Sequence, residues 1–237
     1  MVWKKRYETR QNKAHKIITI LKDHLSDLNQ DWICIDIGCG SGEITSELAQ
    51  NFKCTMGLET KMDTLRKNRQ RHHTDGLFFI QADGVNIPVA DESIDTIICA
   101  QVYEHVSDAQ KLVNEIWKKL KPNGVCFFSG PNKWTPLEEH YWLPFLSWLP
   151  RKAANIYMRL FKRGNEYDIK PMSYWGLRKL FTGFHIIDYS TEVIRKPKKY
   201  SMDQFYTGFG IISRIPRPLL RLITLFIPNF NFILVKQ

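Results

Sequence analysis

No apolar stretch near the C-terminal side of this chain is long enough to cross a bilayer. The longest uncharged run there, Leu222 to Val235, is interrupted by Pro228, Asn229 and Asn231 and falls short of the ~20 apolar residues that a spanning helix needs. Met1 to Lys16 is basic and polar and lacks an apolar h-region, so no secretory leader and a cytoplasmic protein are expected. The five cysteines, Cys34, Cys39, Cys54, Cys99 and Cys126, include no Cys-x-x-Cys pair. They are expected to be reduced core thiols, and no bound metal is expected. Acidic residues are scarce only in one half. Residues 1–132 hold 17 Lys plus Arg and 17 Asp plus Glu, whereas residues 133–237 hold 17 basic and 7 acidic residues, so the whole +10 excess lies in the second part.

What is present describes a folded chain. With 43% hydrophobic and 13% aromatic residues in 237, disorder and collagen-like repeats are excluded, and one domain with insertions is the expected organisation. Ala14, Ile17, Ile18, Leu21 and Leu25 recur at helical spacing and predict an N-terminal helix over about 5–28. Short apolar runs at 32–37, 54–58, 77–81, 96–100 and 124–129 then alternate with helical patterns at 43–52, 62–71 and 107–120. That alternation predicts βαβ units and a parallel sheet with helices on both faces. A helix over 173–181 and strands over 184–189 and 231–236 resume the scaffold after two irregular lengths of chain, about 135–164 and 195–229.

The sharpest motif is Asp36-Ile37-Gly38-Cys39-Gly40-Ser41-Gly42-Glu43, between a strand and a helix. Glycines let the backbone turn tightly and approach a ligand, and the helix start offers free N–H groups. The dinucleotide fingerprint is Gly-x-Gly-x-x-Gly; here the third glycine comes one residue early and Glu43 stands in its place, where a carboxylate would oppose a pyrophosphate. Glu59 follows the second apolar run, at the place from which an acidic residue accepts hydrogen bonds from ribose hydroxyls.

With these residues the chain resembles the class I S-adenosylmethionine-dependent methyltransferases, in particular the methyltransferase type 11 branch that includes ubiquinone and menaquinone biosynthesis enzymes. Six blocks match in order: Asp36 to Gly42, Glu59, Gln81-Ala82-Asp83-Gly84, Pro88 to Asp95, Glu104-His105-Val106 and Leu120 to Gly124. The resemblance covers about 32–132 well and the rest in outline. It implies an α/β, Rossmann-like fold with a seven-stranded, mostly parallel sheet, an antiparallel last strand and helical lid insertions. It implies S-adenosyl-L-methionine as cofactor, with Asp36, Gly38, Cys39, Gly40 and Gly42 at its methionine end, Glu59 on the ribose, Asp83 on the adenine amine and Gly84 beside the ring. Gln101, at the end of the fourth strand, is expected to face the methionine part. Asp95 is expected to be structural.

A sulfonium methyl is already activated, so alignment can carry most of the catalysis. No Asp/Asn-Pro-Pro-Tyr block follows the fourth strand and no Pro-Cys nucleophile is present, which excludes two specialised methylation chemistries. Attack by a hydroxyl gains from a base with a pKa near 7, the province of histidine. His105, after the fourth strand, and His140, in Glu138-Glu139-His140-Tyr141-Trp142 after the fifth, are the two candidates, each with a loop-shaping role as its rival. His72 and His73 read as solvated.

Both insertions are expected to flank the substrate entrance. The first combines six apolar residues between Trp142 and Leu149 with a predicted basic helix over 151–163, whose apolar side is Ala153, Ile156, Tyr157, Leu160 and Phe161. The second sets Arg214, Arg217 and Arg221 around Leu219, Leu220, Leu222, Ile223, Leu225 and Phe226. This mixture suits an interfacial helix in a headgroup layer as well as an ordinary lid packed on the sheet. The reading favours a lipid-linked or other small-molecule acceptor, such as a glycolipid, polyprenyl-linked sugar or quinone precursor, with peripheral attachment to an anionic membrane. An RNA-modifying methyltransferase and a non-enzymatic cofactor-binding protein are the alternatives, nucleic acid being the weaker partner. The oligomeric state is left open.

Overall fold

Apolar runs buried on both sides need cover on both sides, and that requirement shapes the computed structural model, which describes residues 2–26, 28–202 and 216–237. Its elements run α1 (Val2–Leu25), β1 (Ile33–Ile37), α2 (Glu43–Leu48), β2 (Cys54–Glu59), α3 (Met62–Arg71), β3 (Leu77–Gln81), β4 (Ile94–Ala100), α4 (Ala109–Lys119) and β5 (Leu120–Pro131). The second part holds β6 (Leu137–Glu138), β7 (Leu143–Pro144), α5 (Arg151–Leu160), α6 (Tyr174–Leu180), β8 (Phe184–Asp188), α7 (Ser190–Arg195), α8 (Arg217–Ile223) and β9 (Asn229–Lys236).

The sheet has seven strands in the order β3-β2-β1-β4-β5-β9-β8. β1 to β5 pair in parallel, and β9 is antiparallel to both β5 and β8. This is the Rossmann-like α/β fold expected from the sequence. Alternate side chains point to opposite faces, and the core divides accordingly. Ile35, Ile37, Ile97, Cys99, Cys126, Phe128, Phe232 and Leu234 share one cluster with Leu112, Val113 and Ile116 of α4 and Leu177 and Leu180 of α6. Cys34, Ile98, Val125, Phe127 and Ile233 share the other with Ile17, Ile20 and Leu21 of α1 and Val193 of α7. All five cysteines are free and four are buried.

Local chemistry sets several boundaries. Asp108 accepts from the N–H groups of Gln110 and Lys111, so α4 starts at Ala109, two residues later than the apolar pattern predicts. The helix expected over 43–52 stops at Leu48. Asp95 is structural as expected, since one oxygen accepts from the Ile33 N–H at 2.9 Å and the other pairs with Lys121 at 2.7 Å, joining the starts of β1 and β5.

The irregular lengths meet at Asn132, which is fully buried just past β5. Its amide donates to the carbonyls of Leu225 (2.7 Å) and Ile227 (2.9 Å), and its own carbonyl oxygen accepts from the Trp134 N–H at 3.0 Å. In α5 the structure shows which side makes the internal contact. Ala154 and Met158 are buried against Leu143, Leu146, Tyr167 and Ile169, while Ile156, Leu160 and Phe161 of the predicted apolar side are exposed. Two residues of moderate size suffice for the contact, so the larger apolar groups face outward. Arg214 lies outside the described residues, and the second segment is described over 195–202 and from residue 216 onward. No described helix is long and apolar enough to cross a membrane.

Phe232 is fully buried in β9 and stacks between Phe128 and Phe230 with ring centroids 6.0 and 5.5 Å away. Phe232→Ala is expected to lower the unfolding free energy by about 3–5 kcal/mol, measured as a shift in urea midpoint at unchanged slope.

Candidate active site

At the carboxyl end of β1 the chain enters α2 through Gly38, Gly40 and Gly42, whose φ angles are +69°, +53° and +78°. Side chains rarely adopt this region, and at Gly38 and Gly42 space forbids them as well. A Cβ on Gly38 would lie 2.9 Å from Val102 Cγ2, and one on Gly42 would lie 2.9 Å from the Phe79 ring. The loop is braced from outside. Asn68 donates to the Gly40 carbonyl at 2.7 Å, and Arg10 of α1 donates to the Ser41 hydroxyl and pairs with Glu43 at 2.8 Å. The His72 ring lies 3.0 Å from the Ser41 carbonyl, so the expectation of a solvated His72–His73 pair is corrected: His73 is exposed, whereas His72 is half-buried against the loop.

Beside the loop opens a cavity of about 340 Å³, lined by Asp36, Gly38, Cys39, Gly40 and Gln101 and closed by α1 through Arg10, Lys13 and Lys16. Asp36 is buried and accepts from the Thr45 hydroxyl at 2.6 Å. Burial pushes its carboxyl up to about 7. Lys16 is also buried, has no ion-pair partner among the described residues, and is pulled down to about 8 by that burial. Gln101 holds a left-handed backbone, φ +60°, and its amide donates to Asn229 at 2.8 Å. A cavity with one buried carboxyl and one buried amine is chemically complementary to the ammonium and carboxylate of an amino acid. Sequence reasoning missed Lys16 because it is a polar position in an amphipathic helix, remote in the chain from the glycine motif. Burial pushes the Cys39 thiol up as well, which keeps it un-ionised and unreactive.

The remaining expected ligand residues line the same sheet edge, outside that cavity. Glu59 ends β2, half-buried, and its Oε1 accepts from the N–H groups of Thr60 (2.9 Å) and Lys61 (3.0 Å). Asp83 is exposed in the turn after β3 and accepts from the Val85 N–H at 3.2 Å. Gly84 is buried, and a Cβ there would fall 2.6 Å from Ile37 Cγ2. Gly42 is enclosed by Phe79 and His72.

The two histidines, read from sequence as separate candidates, come together. Tyr103 packs on Gly130, donates to the Pro131 carbonyl at 2.6 Å and accepts from the Met172 N–H at 2.9 Å, which anchors the residue before Glu104, while the Glu104 carbonyl accepts from the Lys170 N–H at 3.1 Å. The Glu104 carboxylate is fully buried, and neither oxygen has a hydrogen bond among the described residues. Its Oε1 lies 3.8 Å from His105 Nε2 and 4.0 Å from His140 Nε2, and the two imidazole rings are 5.5 Å apart, edge to face. Donor atoms of the three side chains fall within 4.8 Å of one another. Burial pushes the Glu104 carboxyl up to about 7. A hydrogen bond to Glu138 holds His140 above its ordinary range, while burial and the neighbouring His140 hold His105 below its own. Glu104 and Glu138 stood inside the quoted blocks, but their burial could not be read from them.

Residues 35–128 match the family model described as a methyltransferase domain. Over 169 residues the chain is 27% identical to the ubiquinone biosynthesis O-methyltransferase of Rickettsia canadensis, covering 65% of this chain and 66% of the relative. It thus spans just under two thirds of that relative's length. Among solved structures, a S-adenosylmethionine-dependent methyltransferase from Mesorhizobium loti is similar with a TM-score of 0.59 at 16% identity, over 92% of this chain and 96% of the other. The Haemonchus contortus phosphoethanolamine N-methyltransferase 2, solved with S-adenosylhomocysteine, is similar with a TM-score of 0.58 at 16% identity, over 93% and 52%.

Lys16 gives a pH signature. Its folded pKa of about 8 lies below its ordinary 10.5, so between those values the unfolded chain binds more protons at this site and the contribution of Lys16 to stability rises with pH. The buried thiols, raised by burial, act in the opposite sense, so the signature is read as a difference: between pH 7 and 10.5 the wild type should gain roughly 3 kcal/mol relative to Lys16→Met in urea denaturation.

Proposed function

We propose that this chain, whose residues 35–128 match a methyltransferase domain, is a class I S-adenosylmethionine-dependent methyltransferase that methylates a lipid-linked or other small-molecule acceptor at an anionic membrane surface. The observation that carries the methyltransferase reading is the cavity between the glycine loop and α1, with Asp36 and Lys16 on its walls. In this reading Asp36 faces the cofactor's ammonium and Lys16 its carboxylate. Gly38, Cys39, Gly40 and Gly42 give close backbone approach, and Gln101 bounds the methionine end. Glu59 takes the ribose hydroxyls, and Asp83 takes the adenine amine beside Gly84. When bound, the cofactor supplies an electrophilic methyl group. The chain's own part is to orient the acceptor, exclude water and receive any proton released, with His105 and His140 as the catalytic candidates.

The acceptor class is argued from the surface. Trp142, Phe145, Ile156, Leu160 and Phe161 are exposed beside exposed Arg151, Lys152, Arg159, Lys162 and Arg163. Trp175, Leu219, Leu222 and Phe226 form further exposed apolar surface on the side reached through Asn132. Apolar side chains of this size partition into the headgroup boundary, and each basic residue near an anionic leaflet adds about 1 kcal/mol. RNA bases could stack on the aromatic groups, but an RNA surface would offer nothing for Ile156, Leu160, Leu219 and Leu222. Similarity to a ubiquinone biosynthesis O-methyltransferase favours a quinone-type acceptor within the lipid-linked class.

Calorimetry is expected to show S-adenosylhomocysteine binding and no NAD binding; the opposite result would sink the methyltransferase reading. Glu59→Ala should weaken that binding roughly 10- to 100-fold, the worth of hydrogen bonds to a charged group. The membrane reading is separable. The protein should float with phosphatidylserine-containing liposomes at low salt, and Leu160→Glu combined with Phe161→Glu should abolish flotation while leaving S-adenosylhomocysteine affinity intact. Flotation unaffected by the pair, or absent from the outset, counts against membrane attachment.

A further inference from the structure

The insertion after β5 carries a carboxylate–imidazole pair that cofactor binding does not use. We propose that Glu138 is a positioning residue that fixes His140 as the proton acceptor for a hydroxyl substrate, so that methylation occurs on oxygen. This rests on the methyltransferase reading.

Glu138 is buried and both its oxygens are engaged. Oε1 lies 2.8 Å from His140 Nδ1, and Oε2 accepts from the Tyr141 N–H at 2.7 Å. The short antiparallel pair of β6 and β7 closes the turn, with Glu138 opposite Leu143. A carboxylate held at both oxygens cannot swing away, so Nδ1 carries the proton it donates and Nε2 keeps its lone pair. That Nε2 faces inward, 4.0 Å from the Glu104 carboxylate. The separation is too long for a hydrogen bond, so Nε2 is left free to accept from a substrate hydroxyl. Glu104, buried with neither oxygen hydrogen-bonded among the described residues, is the kind of group that a new imidazolium proton on His140 would complete.

Position completes the argument. Glu139, adjacent to His140, accepts from Asn229, whose own side-chain oxygen accepts from Gln101 on the cavity wall. The turn that carries the pair is therefore tied, through Glu139, to Asn229 on the wall of the methionine-end cavity. Methyl transfer to a hydroxyl makes a C–O bond and breaks a C–S bond, whose electron pair stays on sulfur as a neutral thioether, and it releases one proton. That proton passes from the acceptor oxygen to His140 Nε2, and the resulting imidazolium is flanked by Glu138, Glu139 and Glu104, with His105 as the neighbouring cation-forming group. His140 then returns the proton to solvent through its exposed edge.

The test uses the full chain, labelled with ¹⁵N-histidine and supplied with S-adenosylhomocysteine, and reads imidazole resonances across pH. Neutral His140 is expected as the Nδ1-protonated tautomer, assigned by loss of its signals in His140→Gln. Glu138→Gln should lower its titration midpoint by about 1 unit or more, and Glu138→Asp should retain most of it. Phenol, as a hydroxyl probe at millimolar concentration, should move the His140 Nε2 resonance, whereas ethanolamine phosphate, as an amine probe, should not. An Nε2-protonated tautomer in the wild type needs no variant to fold and overturns the proposal. An unchanged midpoint in Glu138→Gln, a response to the amine alone or to neither probe, or stoichiometric Zn²⁺ or Mg²⁺ shifting His105 and His140 together each overturns it too. Absence of S-adenosylhomocysteine binding would instead remove the methyltransferase reading, and the tautomer and midpoints would still report on Glu138.

Discussion

Burying an ionisable side chain costs several kcal/mol unless a partner compensates, and the carboxyl edge of this sheet buries Lys16, Asp36, Glu104 and Glu138 together. Only Glu138 is satisfied at both oxygens. Asp36 has one short bond from Thr45, and Glu104 has none among the described residues. The fold offsets that cost elsewhere, through a continuous two-faced core around β1, β4, β5 and β9. Incomplete pairing at the edge is what a ligand could complete, which is why strained or unsatisfied groups gather where binding happens.

Periodicity made the scaffold legible. The boundaries of α3 and β3 coincide with the apolar pattern of the sequence, and the alternation of strands and helices fixed the parallel sheet. Long-range burial was not legible. Lys16 looks like any polar position of an amphipathic helix until the sheet is placed beneath it. Glu104 and His140 become neighbours only when the loop after β4 meets the turn after β5. The apolar side of α5 was legible as a stripe of Ile156, Leu160 and Phe161, but the residues that make its internal contact, Ala154 and Met158, were not, because periodicity does not say which side meets a neighbour.

The Asn132 amide gives the two irregular segments a common anchor. Its hydrogen bonds to Leu225 and Ile227 on one side and to Trp134 on the other mean that a displacement of either segment is felt by the other. The two irregular segments therefore share one buried anchor at the end of β5.

The strand order also bears on synthesis. β8 has no sheet neighbour except β9, which follows it in the chain, whereas β1 to β5 pair among themselves as they emerge. On the ribosome the cofactor half can assemble first. β5 then waits with an uncovered edge rich in phenylalanine until β9 arrives, and exposed edges of this kind recruit other chains. A translational pause between β8 and β9 would thus lengthen the life of an aggregation-prone intermediate, a hazard set by topology and independent of the stability of the finished protein.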